Sequence, residues 1–359
     1  MKYQIGVKMS NFKRTFILPF RNEIPNYLEA YLNQKAFIKR YAKYLRRVIY
    51  IFLKGQLGRE IFSITSDHKR ILWINVSAPS LGDSLMDLSS RIMLKNRDVD
   101  LFTDKKNSGI YENDNFFRNV FTCAIELKKR NYDLIIMDSF SSRSIKIKSL
   151  VAANTSYVGM FGYFNGPEVN RILFSFFQMN SLLSSLKTEK EIINISKNSI
   201  TISLKDKELV NNIIPKNFIA FALGGEWAYK TYNSWEKIIM KIIENNKNLC
   251  IVLIGSKNAI NISNELISKF SQIHFLNFVN KLSFNQTAEI INRSQFIFCC
   301  DGGLMHAANA VNAKGISLFA RLKPDMLNTK NSNLFIFYDD KDVNNITVEN
   351  IFMQYIKMK

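Results

Sequence analysis

Short apolar runs alternate with amphipathic stretches along most of this chain. The runs ILWINVS at 71–77, VDLFT at 99–103 and DLIIM at 133–137 have the length and composition of buried strands, and residues 84–94 carry a helical pattern. Strands that alternate with helices are typical of a parallel, doubly wound sheet. The first half of the chain therefore predicts an α/β domain.

A second α/β series begins after a mixed region at about 170–215. Its predicted strands are FIAFAL at 218–223, CIVLIG at 250–255, FIFCC at 296–300 and GISLFA at 315–320. Asn233 with Glu236, and Ser283 with Gln286, predict N-caps ahead of two amphipathic helices. Together the two series predict two Rossmann-like domains of similar size with a cleft between them.

The N-terminal region concentrates the positive charge. Residues 1–70 hold 15 Lys or Arg against 4 Asp or Glu, while the whole chain has a formal charge of +19. Apolar residues recur at helical spacing from Leu28 to Phe52 with basic residues between them, which predicts a helix that binds an anionic membrane surface or an acidic partner. A helix that docks on its own domain with a solvated basic face would show the same pattern, so both interpretations stay open.

Cysteine and histidine usage narrows the setting. None of the four cysteines has metal-site spacing, and Cys250, Cys299 and Cys300 lie in or beside apolar runs, which predicts reduced core residues and a cytoplasmic protein. Three scattered histidines do not favour a structural zinc site. No run of 18 apolar residues predicts a membrane span, and Arg21 and Glu23 interrupt the apolar stretch that a signal peptide would need.

Candidate chemistry lies in loops that follow strands, where doubly wound sheets bind their ligands. Asp83 lies in the loop SLGD, and Lys230 lies in the glycine-led loop GGEWAYKTYNSW. In CCDGGLMHAANA at 299–310, two glycines end a strand and open a helix, an arrangement that holds N–H groups against a phosphate. Each feature has a structural alternative: an acid that favours the helix dipole, a solvated lysine, and a tight turn whose histidine caps or packs.

Neither glycine loop has a Walker A or GxGxxG motif, which disfavours ATPase and dehydrogenase functions. Four segments in order instead resemble glycosyltransferase family 9, the ADP-heptose lipopolysaccharide heptosyltransferases, over roughly residues 70–355. They are ILWINVSAPSLGDSLMDLSS, YDLIIMDSFSSRS with the later YVGMFG, the loop that carries Lys230 and Trp235, and CCDGGLMHAANA, which is similar to the family signature D-(T/S)-G-x-x-H-x-A. The resemblance implies the two-domain GT-B fold.

The resemblance also implies a role for each matching position. Asp83 would be the general base that deprotonates the acceptor hydroxyl, and Lys230 would hold the donor phosphates, so that in-line displacement inverts the anomeric centre without a metal or other cofactor. The other implied donor-binding residues contact the sugar (Asp301), the diphosphate (the amides of Gly302, Gly303 and Leu304), the sugar or phosphate (His306) and adenine (Asn280 and Leu282).

The activity implied is transfer of a heptose from ADP-heptose to a lipopolysaccharide or lipooligosaccharide inner-core acceptor. Two donor-side segments depart from the family: IGSKNAI lacks the expected carboxylate, and LFARLKPD has Arg321 and Lys323 in place of small residues. Another nucleotide sugar therefore stays open. The resemblance also leaves open a protein acceptor, since family members act on several kinds of acceptor, and a sugar-nucleotide epimerase with the same fold. The alternative of another class is a non-catalytic basic protein that binds anionic lipid or nucleic acid, although no nucleic-acid motif supports it.

The predicted organisation is a basic helical extension at 1–69, an acceptor-side domain at 70–205 and a nucleotide-sugar-binding domain at 206–359, whose last helix is able to pack back on the first domain. Since the strand pattern begins at Ile71, removal of residues 1–65 is expected to leave both domains intact. The predicted partners are a nucleotide sugar, an acidic glycolipid and, through residues 1–69, the anionic inner membrane, but not nucleic acid. This predicts a peripheral protein on the cytoplasmic face of that membrane.

Overall fold

A computed structural model describes residues 37–164, 168–185 and 187–359. The chain divides into two compact units, Met1–Ser196 and Lys197–Lys359, and each unit contains one sheet. Every strand pair in the two sheets is parallel. The prediction of two doubly wound α/β domains is confirmed.

The first domain contains a five-stranded sheet. Its strands are β1 (Arg70–Asn75), β2 (Asp98–Thr103), β3 (Asn119–Phe121), β4 (Leu134–Ser139) and β5 (Tyr157–Gly162). Its helices are α1 (Phe37–Leu53), α2 (Leu81–Asp87), α3 (Lys105–Tyr111), α4 (Ser142–Val151), α5 (Arg171–Leu182) and α6 (Glu189–Ile195). The strand order β3-β2-β1-β4-β5 is that of a doubly wound fold.

The predicted helix over residues 84–94 is two shorter pieces. Helix α2 ends at Asp87, and a 3₁₀ helix covers Ser89–Met93. Leu88 between them leaves the helical region, with φ −90° and ψ 7°, and the Ser89 hydroxyl donates to the carbonyl of Met86 at 2.7 Å. The side-chain hydroxyl thus satisfies a carbonyl that a continuous helix would bond through its backbone.

Helix α1 docks on the first domain rather than standing apart from it. Ile51 is fully buried in a cluster with strand residues of β1 and β4, and the Arg47 guanidinium donates to the carbonyls of Gly162 and Phe164, both at 3.3 Å. Residues 59–61 then run beside β5, where Tyr157 exchanges backbone hydrogen bonds with them. The part of the predicted helix before residue 37 lies outside the described residues.

This packing changes the expectation for the N-terminal region. The predicted boundary at residues 69 and 70 does not separate two packing units, because residues 51–64 supply core side chains and backbone bonds to the first domain. Removal of residues 1–65 would expose the core that Ile51 covers, which favours the alternative of a helix that docks on its own domain. The structure also divides the chain after Ser196 rather than after residue 205.

The second domain contains a six-stranded sheet. Its strands are β6 (Phe218–Ala222), β7 (Cys250–Ile254), β8 (Phe275–Asn277), β9 (Phe296–Cys300), β10 (Gly315–Ala320) and β11 (Leu334–Asp339). Its helices are α7 (Leu204–Ile213), α8 (Trp235–Asn245), α9 (Ile260–Lys269), α10 (Phe284–Arg293), α11 (Gly303–Ala310) and α12 (Val348–Met358). The order is β11-β10-β9-β6-β7-β8, with a core on each face of the sheet.

Two-sided burial explains why these strands are uninterrupted apolar runs. On β6, Ile219 and Phe221 face a core that contains Trp235, whereas Phe218 and Ala220 face the opposite core. Parallel strands covered on both faces have no solvent-exposed side to carry polar residues. The apolar runs of the second series are therefore confirmed as strands.

The two predicted helix caps of the second domain differ in outcome. The capping box of Ser283 and Gln286 is confirmed at the start of α10. The predicted cap at Asn233 is wrong, because α8 begins after Ser234 and the Asn233 amide donates to the side chain of Asn344 at 2.8 Å. Helix α12 packs into the core of its own domain through residues that include Tyr355.

Candidate active site

An ion pair lies at the carboxyl edge of the second sheet. Asp301 directly follows β9, and its side chain is 3% exposed. Lys230, in the loop after β6, places its Nζ atom 2.5 Å from Asp301 Oδ2. Since β6 and β9 are adjacent, their loops meet at one edge, and the structure brings these two predicted residues together.

The glycine turn after Asp301 opens helix α11. Gly302 is the residue that caps this helix, so the N–H groups of Gly302, Gly303 and Leu304 precede the first intrahelical hydrogen bonds. A Cβ atom on Gly302 would meet nothing within 4 Å, so packing within the protein does not require glycine there. Open space beside the N–H groups at the start of α11 and beside Lys230 suits an anionic group such as a diphosphate.

The loop that carries Lys230 is held in a specific shape. Gly224 has a left-handed backbone with φ +77°, and a Cβ atom on Gly225 would approach the Lys230 carbonyl oxygen to 2.6 Å. The Asn258 side chain, from the loop after β7, donates to the Gly225 carbonyl at 2.6 Å. Asn258 lies in the segment that lacks the family's carboxylate, and here it fixes the neighbouring loop instead.

A cation and two aromatic rings extend this edge. Arg321 directly follows β10 and places its Cζ atom 3.7 Å from the centre of the Tyr229 ring. Trp227 is 55% exposed, and its ring lies nearly parallel to that of Tyr229, with 6.5 Å between the centroids. The sequence identified Arg321 only as a departure from the family, because its aromatic partner lies in a loop far away in the chain.

Three other predicted donor residues lie around this edge with different exposure. His306 is 4% exposed on α11, and its Nδ1 atom is 3.5 Å from Asn198 Nδ2. Asn280 is exposed in a left-handed turn with φ 57°, and its amide donates to the Gly255 carbonyl after β7. Leu282 is half-buried against the α7 side of the sheet. Their roles in binding sugar, phosphate and adenine stay predictions.

The first domain holds Asp83 in the first turn of α2. The Ser80 hydroxyl caps this helix by accepting from the Asp83 amide at 3.2 Å, and it donates to Asp83 Oδ2 at 2.6 Å. The Asp83 side chain is 23% exposed, so a hydroxyl group from outside the protein has access to it.

A partly buried ion pair lies next to Asp83. Arg171, from α5, donates to both carboxylate oxygens of Asp87 at 2.7 and 2.5 Å, and the Asp87 side chain is 1% exposed. Another nitrogen of the same guanidinium lies 4.0 Å from Asp83 Oδ1. Burial raises the pKa of Asp87, and the charge of Arg171 opposes that shift. Sequence patterns alone do not identify this pair, because 84 residues separate its members.

A second buried carboxylate fixes the loop that leads to Asp83. Asp138, at the end of β4, accepts hydrogen bonds from the amides of Val76 and Ser77 at 3.1 and 2.9 Å and from the Ser144 hydroxyl at 3.2 Å. Burial raises the pKa of Asp138 to about 7, with the nearby charge of Asp87 adding to the effect. The loop after β1 is therefore bound to the neighbouring strand.

The described part of the chain contains no group of three or more His, Cys, Asp or Glu residues arranged to hold a metal ion. Among the helices of that part, none combines the length and the apolarity needed to cross a bilayer.

Cys250, Cys299 and Cys300 are buried, whereas Cys123 is exposed, and burial raises the pKa of Cys299 to about 12.

Comparison with known families identifies the chain. The family model described as glycosyltransferase family 9 (heptosyltransferase) matches residues 166–350, which is more than half of the 359 residues. The chain belongs to glycosyltransferase family 9. It is therefore a glycosyltransferase, as the sequence predicted. Comparison with curated proteins gives no match.

Solved structures of family members share this fold at low sequence identity. The family 9 glycosyl transferase from Veillonella parvula DSM 2008 has a TM-score of 0.66 and 12% identity, over 82% of this chain and 98% of that one. The E. coli ADP-heptose lps heptosyltransferase II has a TM-score of 0.60 and 16% identity, over 80% of this chain and 98% of that one. E. coli heptosyltransferase WaaC with ADP has a TM-score of 0.60 and 15% identity, over 80% of this chain and 99% of that one. These matches confirm the predicted GT-B fold of this family 9 glycosyltransferase.

Replacement of Arg171 tests the support beneath Asp83. Arg171→Met leaves Asp87 as an unpaired buried charge, so we expect the first domain to lose about 3–5 kcal/mol of stability at neutral pH. Because burial raises the pKa of Asp87, the carboxyl takes up a proton more readily as the pH falls, so the loss should be smaller at acidic than at neutral pH. Urea unfolding at both pH values measures the effect.

The control for this prediction is Arg118→Met. Arg118 pairs with Asp98 at 2.9 Å in the same domain, but both side chains are 60% exposed, so its loss should change stability little at either pH. Equal effects of the two substitutions, or a loss at Arg171 that does not depend on pH, would contradict the interpretation.

Proposed function

We propose that this glycosyltransferase moves a heptose from ADP-heptose to an inner-core acceptor of lipopolysaccharide or lipooligosaccharide, with inversion of the anomeric centre. The observation that carries the proposal is the Lys230–Asp301 pair beside the amides that open α11. Such a combination of cation and N–H donors suits a diphosphate leaving group. The related fold of E. coli WaaC, which was solved with ADP, supports the choice of nucleotide.

The proposed reaction uses Asp83 as the base. An acceptor hydroxyl oxygen forms a bond to the anomeric carbon, the bond from that carbon to the diphosphate oxygen breaks, and its electron pair leaves with ADP. The hydroxyl proton passes to Asp83, which lies within reach of the Ser80 hydroxyl at 2.6 Å and of the Arg171 guanidinium at 4.0 Å. Lys230 and the α11 amides donate hydrogen bonds to the leaving group, so the proposal requires no metal.

One observation favours another nucleotide sugar as the second candidate. In the loop after β7, Ser256 and Asn258 lie where a donor-contacting carboxylate is expected. The Ser256 hydroxyl donates to Asn258 Oδ1 at 2.7 Å, and Asn258 Nδ2 donates to the Gly225 carbonyl at 2.6 Å. A carboxylate that binds ribose or sugar hydroxyls is thus absent from this position. A protein acceptor in place of the glycolipid stays an alternative within the same chemistry.

We also propose that α1 binds the anionic surface of the inner membrane, which makes the enzyme a peripheral protein on its cytoplasmic face. The face of α1 opposite Arg47 and Ile51 turns outward. Its exposed apolar side chains are Ile38 (82%), Leu45 (39%), Ile49 (56%), Phe52 (64%) and Leu53 (70%). Lys39, Lys43 and Arg46 flank this stripe and are exposed, and residues 37–59 contain no Asp or Glu.

This combination fits a lipid surface. Apolar side chains enter the boundary between headgroups and acyl chains, and each nearby basic residue contributes about 1 kcal/mol on an anionic bilayer at modest salt. A glycolipid acceptor embedded in that bilayer would lie next to the domain that carries Asp83. The two proposals therefore support each other, although they are tested separately.

Asp83→Asn tests the base. Since general base catalysis acts in the transition state, we expect kcat to fall by about two to four orders of magnitude while the Kd of ADP changes little. Asp206→Asn is the matched control, because Ser203 caps α7 with the same pair of bonds, 3.1 Å from the Asp206 amide and 2.7 Å to Asp206 Oδ2. Activity of the Asp83 variant within a few fold of the control would return Asp83 to a capping role.

Lys230→Ala tests the donor half. The substitution leaves Asp301 unpaired beside the diphosphate, so ADP should bind more weakly by about 1.5–3 kcal/mol, the range for charge-assisted contacts. The double variant Lys230→Ala/Asp301→Asn removes that repulsion and should recover part of the affinity. Calorimetric titration with ADP measures both, and an unchanged Kd in the single variant would place Lys230 outside the site.

Ile49→Glu together with Phe52→Glu tests the membrane surface. Both positions are exposed, so the fold should survive, but sedimentation with anionic vesicles should drop to the level seen with zwitterionic vesicles. Leu204→Glu is the control, since Leu204 is 77% exposed in the second domain. Undiminished vesicle binding by the double variant, or loss of its ADP binding, would contradict the proposal.

A further inference from the structure

We propose that Arg321 supplies the net positive charge that binds the donor diphosphate. The inference rests on the proposed function, since it takes a nucleotide sugar as the ligand of the second domain. It assigns a role to a residue that the family resemblance left as a departure. The observations that carry it are the charge balance of the donor half and the way in which the guanidinium is held.

The charge balance of the predicted donor site is incomplete without a further cation. Lys230 and Asp301 lie 2.5 Å apart, so their opposite charges cancel as seen by a ligand. The diphosphate of a nucleotide sugar carries about two negative charges, whereas the start of a helix offers the equivalent of about half a positive charge. A second basic side chain at this edge would provide the difference.

Arg321 lies where such a cation is needed. In the sheet, β10 neighbours β9 and β9 neighbours β6, so the loops that follow these strands converge at one edge. Arg321 follows β10, and its guanidinium stacks on Tyr229, which directly precedes Lys230 in the loop after β6. The stack thus ties Arg321 to the loop that carries the paired lysine.

The guanidinium is held in position before a ligand arrives. Its Cζ atom lies over the Tyr229 ring, 3.7 Å from the ring centre, and its Nε atom donates to the Lys341 carbonyl at 3.1 Å. The Arg321 backbone is left-handed, with φ 66°, a conformation that costs free energy in residues other than glycine and that often marks functional sites. Stacking and one hydrogen bond leave the two terminal nitrogens for a bidentate contact with an anion.

Nearby carboxylates do not take up these nitrogens. Asp339 ends β11, the strand next to β10, and Asp340 and Asp342 lie in the turn that follows. Within the described residues none of the three forms an ion pair with Arg321. Asp339 Oδ1 instead accepts from the amides of Lys341 and Asp342 at 2.8 and 2.9 Å. The turn therefore presents its carbonyl to Nε while its acids are engaged elsewhere or solvated.

Arg321→Ala is the direct test, with the full chain and ADP and adenosine as probes. We expect the Kd of ADP to rise at least about tenfold, and its dependence on salt to become less steep, because a charge-assisted contact is lost. The affinity for adenosine, measured by competition, should not change. Arg321→Lys keeps the charge without the planar fork and should fall between the wild type and the alanine variant.

Lys314→Ala is the matched control. Lys314 is exposed and directly precedes β10. Its substitution therefore removes one positive charge at the end of β10 opposite to Arg321. ADP binding by this variant should stay within about twofold of the wild type, since charges further apart than a Debye length are screened. Tyr229→Ala retains Arg321 but removes its platform, and we expect a loss of ADP affinity smaller than that of Arg321→Ala.

The outcomes separate this inference from the proposed function. A wild type that binds neither ADP nor an ADP-sugar would overturn the proposed function. A wild type that binds ADP while Arg321→Ala binds it equally well would overturn the role of Arg321 alone. Equal losses for ADP and adenosine, or an equal loss in Lys314→Ala, would also overturn it, because they indicate a structural or a diffuse electrostatic effect.

Discussion

Parallel strand pairing is the constraint on which the candidate residues of each domain depend. Because the strands of each sheet run in one direction, the loops that follow them meet at one edge. In the second domain this brings Lys230 and Asp301 together across 71 residues of sequence. In the first domain it lets Asp138 bind the loop after β1 that leads to Asp83. In each domain, strand order therefore determines which candidate side chains meet, more than local sequence does.

The convergence of these loops also creates an electrostatic problem at the carboxyl edge of the second sheet, where the donor-binding residues are predicted. A carboxylate that holds the lysine in place also cancels its charge, so the pair orients a group without attracting an anion from a distance. Backbone amides at α11 offer directional donors but only a partial charge. The stacked guanidinium of Arg321 differs from both, since neither its ring contact nor its carbonyl partner neutralises it. Orientation and net charge are thus divided between different residues.

The sequence predicted features that short segments determine and missed those that depend on distant partners. FIFCC, GISLFA and the Ser283–Gln286 capping box are local patterns, and all are confirmed. The Arg171–Asp87 pair and the Arg321–Tyr229 stack join residues from separate elements, so no spacing rule identifies them. Family resemblance located Asp83 and Lys230, but it could not show that Asp301 neutralises Lys230.

Helix α1 shows why periodicity alone could not decide between docking and membrane binding. Ile51 and Phe52 are neighbours in sequence, yet their exposures are 0% and 64%. Both belong to one broad apolar pattern, because a helix that docks with one face and offers another to lipid needs apolar residues on both. A helix fixed to its domain through Arg47 and Ile51 also pays little conformational entropy when its outer face meets a surface. Docking on the domain is therefore compatible with the proposed binding to a membrane.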